Sequence, residues 1–220
     1  HSLGDWQPNE RKLSGTIRQL SDAIHAEGMK FGLWFEPEMV SRDSNLFRAH
    51  PDWAIQCPSR DMSYIRYQYM LDFSRPEVVD HIYNEISATI EAANMDYMKW
   101  DANREMTEVG SLAWPPERQG EIAHRYILGV YDLYSRITKR FPDMLIEGCS
   151  AGGGRFDAGI LCFSPQIWTS DITDALDRIK IQYGTSFAYP CSTMGAHVTK
   201  NKYGSRHVSV ETRAAVAFAG

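Results

Sequence analysis

The stretch Met95-Asp96-Tyr97-Met98-Lys99-Trp100-Asp101-Ala102-Asn103-Arg104 decides the fold. Residues 95–100 read as a short buried strand, and the strand stops at a dense polar cluster. Lys99 and Asp101 have the same parity, so both side chains point to one side of the strand end. The layout recurs along the chain. Residues 29–35 form a strand pattern closed by Glu36-Pro37-Glu38, and 67–73 form a second candidate with Asp72 near its end. Residues 144–147 run into Gly148-Cys149-Ser150, and 166–169 run into Ser170-Asp171. Residues 187–189 are a candidate start for a sixth strand.

Helical patterns separate these runs. Leu13, Ile17, Leu20 and Ile24 fall at helical spacing in residues 10–27, with Gly28 placed to end the helix. A helix follows Ser74, with Pro76 in its first turn and Val78, Val79, Ile82, Ile86 and Ile90 on its apolar face. Residues 117–140 and 174–185 give two more. Strands alternating with helices imply an α/β fold with a parallel sheet. In a (β/α)8 TIM-type barrel every strand C-terminus meets one face, whereas an open sheet gathers only those at its switch point. Polar clusters at nearly every strand end favour the barrel. About six of its eight strands are visible, so the expectation is one incomplete barrel domain over residues 1–220, with the first and last strands missing.

Composition narrows the function. With 43% hydrophobic and 23% charged residues the chain has the make-up of a globular protein. A net charge of −5 and no Lys/Arg run argue against nucleic acid as a partner. No apolar run reaches the ~20 residues of a membrane span, and no basic-then-apolar leader stands at the start. Cys57, Cys149, Cys162 and Cys191 lie apart with no CxxC pair, which predicts reduced thiols and a cytoplasmic protein. No HExxH or paired-His spacing is present, so no metal or cofactor is expected. The chain opens at His1 without a methionine, as a fragment or processed piece would.

Two acids stand out. Lys99 beside Asp101 would keep that carboxylate ionised, as a nucleophile requires, although a salt-bridged strand terminus has the same pattern. Asp171 closes a strand and has no Lys or Arg after it until Arg178, which suits a proton donor or a solvated loop acid. Asp174 reads as a helix cap. Two such carboxylates suit glycoside hydrolysis, and a retaining enzyme holds them ~5–5.5 Å apart. The run from Glu147 through Gly148-Cys149-Ser150-Ala151-Gly152-Gly153-Gly154 to Arg155 could be a tight turn, a backbone approach to a sugar hydroxyl or a phosphate cradle, though GxGxxG spacing is absent. Asp101, Glu147 and Asp171 at consecutive strand ends, with Lys99 as a base, also allow an enolase-like metal site. Trp34 and Trp168 are the aromatics placed at strand ends to stack on a sugar face, and His197 reads as structural.

The ordered motifs Phe31-Gly32-Leu33-Trp34-Phe35-Glu36-Pro37-Glu38, Met98-Lys99-Trp100-Asp101 with Asn103-Arg104, Cys149-Ser150-Ala151-Gly152-Gly153 with Arg155-Phe156-Asp157, and Trp168-Thr169-Ser170-Asp171 with Thr173-Asp174 resemble the catalytic barrel of family-36 glycoside hydrolases, the bacterial and fungal α-galactosidases. So does Met194-Gly195-Ala196-His197-Val198. The resemblance covers nearly the whole chain. It implies release of terminal α-linked galactose from melibiose- and raffinose-type galactosides with net retention, no cofactor, and a homo-oligomeric full-length protein, often a tetramer. It casts Asp101 as nucleophile and Asp171 as acid/base. Trp34, Arg66 and Lys99 become galactose-subsite residues, and Asn103 a sugar contact beside the nucleophile. Cys149 and Gly152 belong to the turn near the sugar 2-hydroxyl, where a galactoside is told from an N-acetylgalactosaminide, and Trp168 lies next to the acid/base. An α-N-acetylgalactosaminidase and a raffinose-synthase-like galactosyl transferase are the nearest alternatives, and a sugar-binding fragment without turnover is a third. The family's aspartate pair for the 4- and 6-hydroxyls is not among these residues, and Gly148 and Ala151 stand where the family carries Ser and Gly.

Overall fold

The computed structural model describes residues 2–200 and 207–220. The chain divides into two units, one running up to Met98 and resuming over Ala102–Met144, the other comprising Lys99–Asp101 and the residues from Leu145 onward.

In the first unit the helix expected over 10–27 is two helices, α1 (Glu10–Leu13) and α2 (Ile17–Ala26). Ser14 turns left-handed at φ 56° and ends α1. Thr16 then starts α2 with a capping box, its hydroxyl accepting the Gln19 N–H while the Gln19 side chain accepts the Thr16 N–H. Gly28, at φ 73°, provides the left-handed exit that glycine adopts without steric cost. Strand β1 (Gly32–Phe35) follows. Asp96 ties its start down, one carboxylate oxygen accepting the Phe31 N–H and meeting His25 Nε2, both at 2.8 Å. Ile17, Phe31 and Ala93 form a buried cluster there.

Next come β2 (Met39–Val40), α3 (Asn45–Ala49), β3 (Tyr69–Met70), α4 (Pro76–Ala93), β4 (Tyr97–Trp100) and α5 (Ile122–Arg140). The second strand candidate, 67–73, requires a correction. Only Tyr69 and Met70 are in a strand, and they pair antiparallel with Val40 and Met39 as a separate two-stranded sheet. Arg66 and Tyr67 both adopt positive φ, 53° and 62°, in a turn that delays the strand, so this segment adds nothing to the parallel sheet. Asp72, just beyond, is fully buried. Burial pushes its carboxyl above the ordinary range although the Ser111 and Ser74 hydroxyls both donate to it.

Helix α4 buries Val78, Val79, Ile82, Ile86 and Ile90 as the spacing predicts. Helix α5 buries Ile122, Tyr126, Val130, Leu133, Tyr134 and Ile137, a stripe worth roughly 1.5–3 kcal/mol per large aliphatic side chain. Arg136 and Arg140 of α5 pair with Asp80 and Glu91 of α4 on the exposed side, and such pairs contribute at most about 1 kcal/mol each. The apolar stripes hold the unit together.

The second unit contains the end of β4 with β5 (Leu145–Gly148), β6 (Gln166–Trp168), α6 (Ala175–Ser186), β7 (Met194–Gly195) and α7 (Val210–Phe218). Its strands lie in the order β4-β5-β6-β7. β5 and β6 are parallel, with Gly148 opposite Ile167, and β6 and β7 are parallel, with Trp168 opposite Gly195. The sixth strand expected at 187–189 is instead a continuation of the helix end. The N–H groups of Ala188 and Tyr189 donate to the Thr185 carbonyl, and the strand forms later, at Met194. Asp174 caps α6 by accepting from the Leu176 and Asp177 N–H groups, as expected. The α/β class with parallel strands therefore holds. Among the described residues, no helix is long and apolar enough to cross a membrane.

Gly129 gives a sharp test of this packing. A Cβ there would stand 2.0 Å from the Phe73 carbonyl oxygen, which no rotamer change relieves. Gly129→Ala should destabilise the protein by about 1–3 kcal/mol. An unchanged urea midpoint would show that α5 does not lie against Phe73 as described.

Candidate active site

The second unit brings together Lys99, Asp101, Cys149, Gly152, Trp168 and Asp171. Lys99, on β4, sends its ammonium to Glu147 Oε1 on β5 at 2.8 Å, and Glu147 is buried. The cation expected beside Asp101 thus makes its ion pair with Glu147. The same ammonium lies 4.7 Å from the centre of the Trp168 ring on β6, a cation–π contact.

Asp101 follows β4 directly and is buried. The Cys149 thiol donates a hydrogen bond to its carboxylate. Cys149 is placed for this by its own backbone, whose N–H donates to the Trp100 carbonyl at 2.7 Å. Burial, and then the neighbouring Asp101 carboxylate, push the Cys149 thiol up to about 12, so it stays protonated at neutral pH and acts as a donor.

Asp171 is exposed at the end of β6, and the Trp168 indole N–H donates to its Oδ1 at 2.8 Å. A glycine turn lies against it. Ser150 N–H donates to the Gly152 carbonyl and Gly154 N–H to the Ser150 carbonyl. Gly152 adopts φ 87°, and a Cβ on it would sit 3.2 Å from the Asp171 nitrogen. Ala151, at φ 45°, occupies the left-handed region as a non-glycine residue. Around this one turn stand a buried carboxylate with a thiol donor and an exposed carboxylate with an indole donor.

The remaining expected residues belong to the first unit. Trp34 lies on β1 with 44% of its surface exposed. Arg66 is exposed on the positive-φ turn before β3. Asn103 is half-buried, and its backbone N–H donates to the buried Glu36 carboxylate at 2.6 Å. The second Glu36 oxygen accepts from the Gln68 side chain at 2.9 Å. Neither this anchoring by Glu36 nor the choice of Glu147 as the partner of Lys99 was assigned from the sequence. Both acids stand at strand ends, and that position is the signal available for them. Arg104 is buried among Ser63, Thr107 and Glu108, where it fixes a loop. Among the described residues, no three His, Cys, Asp or Glu side chains gather as a metal site requires.

A family model described as Melibiase matches residues 1–220. Over its whole length the chain is 53% identical to alpha-galactosidase AgaA of Geobacillus stearothermophilus and covers 30% of it. It is 51% identical to the bifunctional alpha-galactosidase/sucrose kinase AgaSK of Mediterraneibacter gnavus, again over its whole length, and covers 23% of that protein. The fold is similar to the crystal structure of an AgaA variant from G. stearothermophilus in complex with raffinose, with a TM-score of 0.96 at 52% identity, covering 100% of this chain and 31% of that one. The chain thus spans less than a third of the length of these relatives.

The contrast among thiols is directly measurable. Ser59 hydrogen bonds, the side-chain one first, hold the Cys57 thiol below its ordinary range, while Cys149 lies far above it. At pH 8 iodoacetamide should modify Cys57 first and Cys149 last, as read by peptide mass spectrometry. Modification of Cys149 as fast as that of the exposed Cys191 would contradict the buried, protonated thiol.

Proposed function

Because the chain belongs to the melibiase family, we propose that residues 1–220 are part of the (β/α)8 catalytic barrel of a retaining α-galactosidase, with Asp101 as nucleophile and Asp171 as acid/base. The observation that carries this reading is the pair of differently housed carboxylates around the Ser150–Gly154 turn. Asp101 is buried and accepts from a neutral thiol, and Asp171 is exposed and accepts from an indole. The relative crystallised with raffinose supports raffinose-type oligosaccharides as the substrate class.

In the first step an Asp101 oxygen attacks the anomeric carbon and the glycosidic C–O bond breaks. Asp171 passes its proton to the departing oxygen. In the second step Asp171 takes a proton from water, the water oxygen attacks the same carbon, and the bond to Asp101 breaks. Two inversions give net retention. The housing suits the division of labour. A buried carboxylate is held in place to attack as a nucleophile, while an acid/base must be open to the leaving group and then to water. Lys99, paired with Glu147, places a charged hydrogen-bond donor beside β4, where a sugar hydroxyl can reach it. Cys149 and Gly152 form the edge proposed to face the 2-hydroxyl.

In the full-length protein Asp101→Ala should reduce turnover of p-nitrophenyl α-galactoside by about 10⁴-fold or more. Retained activity ends the assignment. Asp171→Ala should respond to azide by forming α-galactosyl azide, detected by NMR, and no such product means that Asp171 is not the acid/base. Preference for the 2-acetamido substrate over the galactoside would move the protein to the N-acetylgalactosaminidases.

A further inference from the structure

Trp168 has only 5% of its surface exposed, which leaves little ring face for a sugar. The indole is held from several directions. Lys99, fixed by Glu147, lies 4.7 Å from its centre. The Arg178 guanidinium lies 5.1 Å away and is itself anchored on the Ser170 and Gly195 carbonyls. The His197 ring packs at 4.3 Å, tilted by 37°. The single polar atom of Trp168, Nε1, donates to Asp171 Oδ1 at 2.8 Å. Asp171 itself is exposed on a loop, where a carboxylate otherwise samples several rotamers. Asp174, the other acid of this loop, is engaged in capping α6.

We propose that Trp168 is a positioning residue for the acid/base rather than a sugar platform. Its clamped indole N–H holds Oδ1 of Asp171 and thereby leaves Oδ2 as the oxygen that carries the proton toward the glycosidic bond. The proposal rests on the reading of Asp171 as acid/base. A rigid element that presents a donor in fixed geometry is what holds a reacting group in a productive orientation.

The test separates positioning from folding by the leaving group. Raffinose needs protonation to release its aglycone, whereas 2,4-dinitrophenyl α-galactoside does not. β-(3-Benzothienyl)alanine at position 168 keeps the ring shape and deletes only the N–H, and it serves alongside Trp168→Phe should that variant fold poorly. In the full-length protein kcat/KM for raffinose should fall about tenfold, the scale of one hydrogen bond to a charged group, while kcat/KM for the dinitrophenyl substrate stays within about twofold. Equal losses on both substrates, or no loss on either, overturn the proposal. Asp171→Ala assayed on the same pair should show a wider gap in the same direction. If it shows none, the acid/base assignment fails and takes this proposal with it. If Asp171→Ala shows the gap and the benzothienyl variant does not, only the role of Trp168 falls.

Discussion

A carboxylate removed from water must find a countercharge or lose its own charge. Glu147, at the end of β5 with 6% of its surface exposed, finds Lys99 at 2.8 Å. The ladder that carries the Cys149 N–H to the Trp100 carbonyl keeps the two strand ends in the register this pair needs. The net stabilisation from such a pair is small, but breaking one costs about 3–5 kcal/mol because a buried charge is left stranded. Lys99 is therefore pinned, and the ammonium fixed in this way lies over Trp168. From one ion pair follow the seat of an aromatic ring and, through its N–H, the orientation of Asp171.

The two carboxylates of the proposed reaction are treated differently by this scaffold. Asp101 is enclosed and accepts from the Cys149 thiol, a weak donor. Asp171 is open to solvent and accepts from the Trp168 indole N–H. The Ser150–Gly154 turn touches both arrangements, since the Gly152 N–H bonds the Cys149 sulfur and a Cβ on Gly152 would stand 3.2 Å from the Asp171 nitrogen.

Much of this was legible in the sequence where the determining contacts are local. The α4 stripe, the Asp174 cap, the Gly28 exit and the polar strand ends all depend on residues within a few positions of one another. What escaped depends partly on partners far apart and partly on local backbone geometry that side-chain patterns do not reveal. Lys99 and Glu147 are 48 residues apart, and only strand register decides that they meet. Residues 187–189 carry apolar and aromatic side chains that suit a strand, yet the free carbonyls at the end of α6 capture their N–H groups first. The pattern at 67–73 is strand-like too, but two left-handed residues and an antiparallel neighbour divert it from the parallel ladder.

The glycine turn has a consequence at the level of codons. A Cβ at Gly153 would lie 2.5 Å from the Thr169 carbonyl oxygen, and one at Gly154 would lie 2.5 Å from that of Ser150. Every single-base missense change in a glycine codon yields a residue with a Cβ, so inheritance offers these two positions no neutral step. Ala151, which already bears a methyl group in the left-handed region and faces solvent, is where drift can accumulate. A variant library has its latitude there, two residues ahead of positions that admit no side chain.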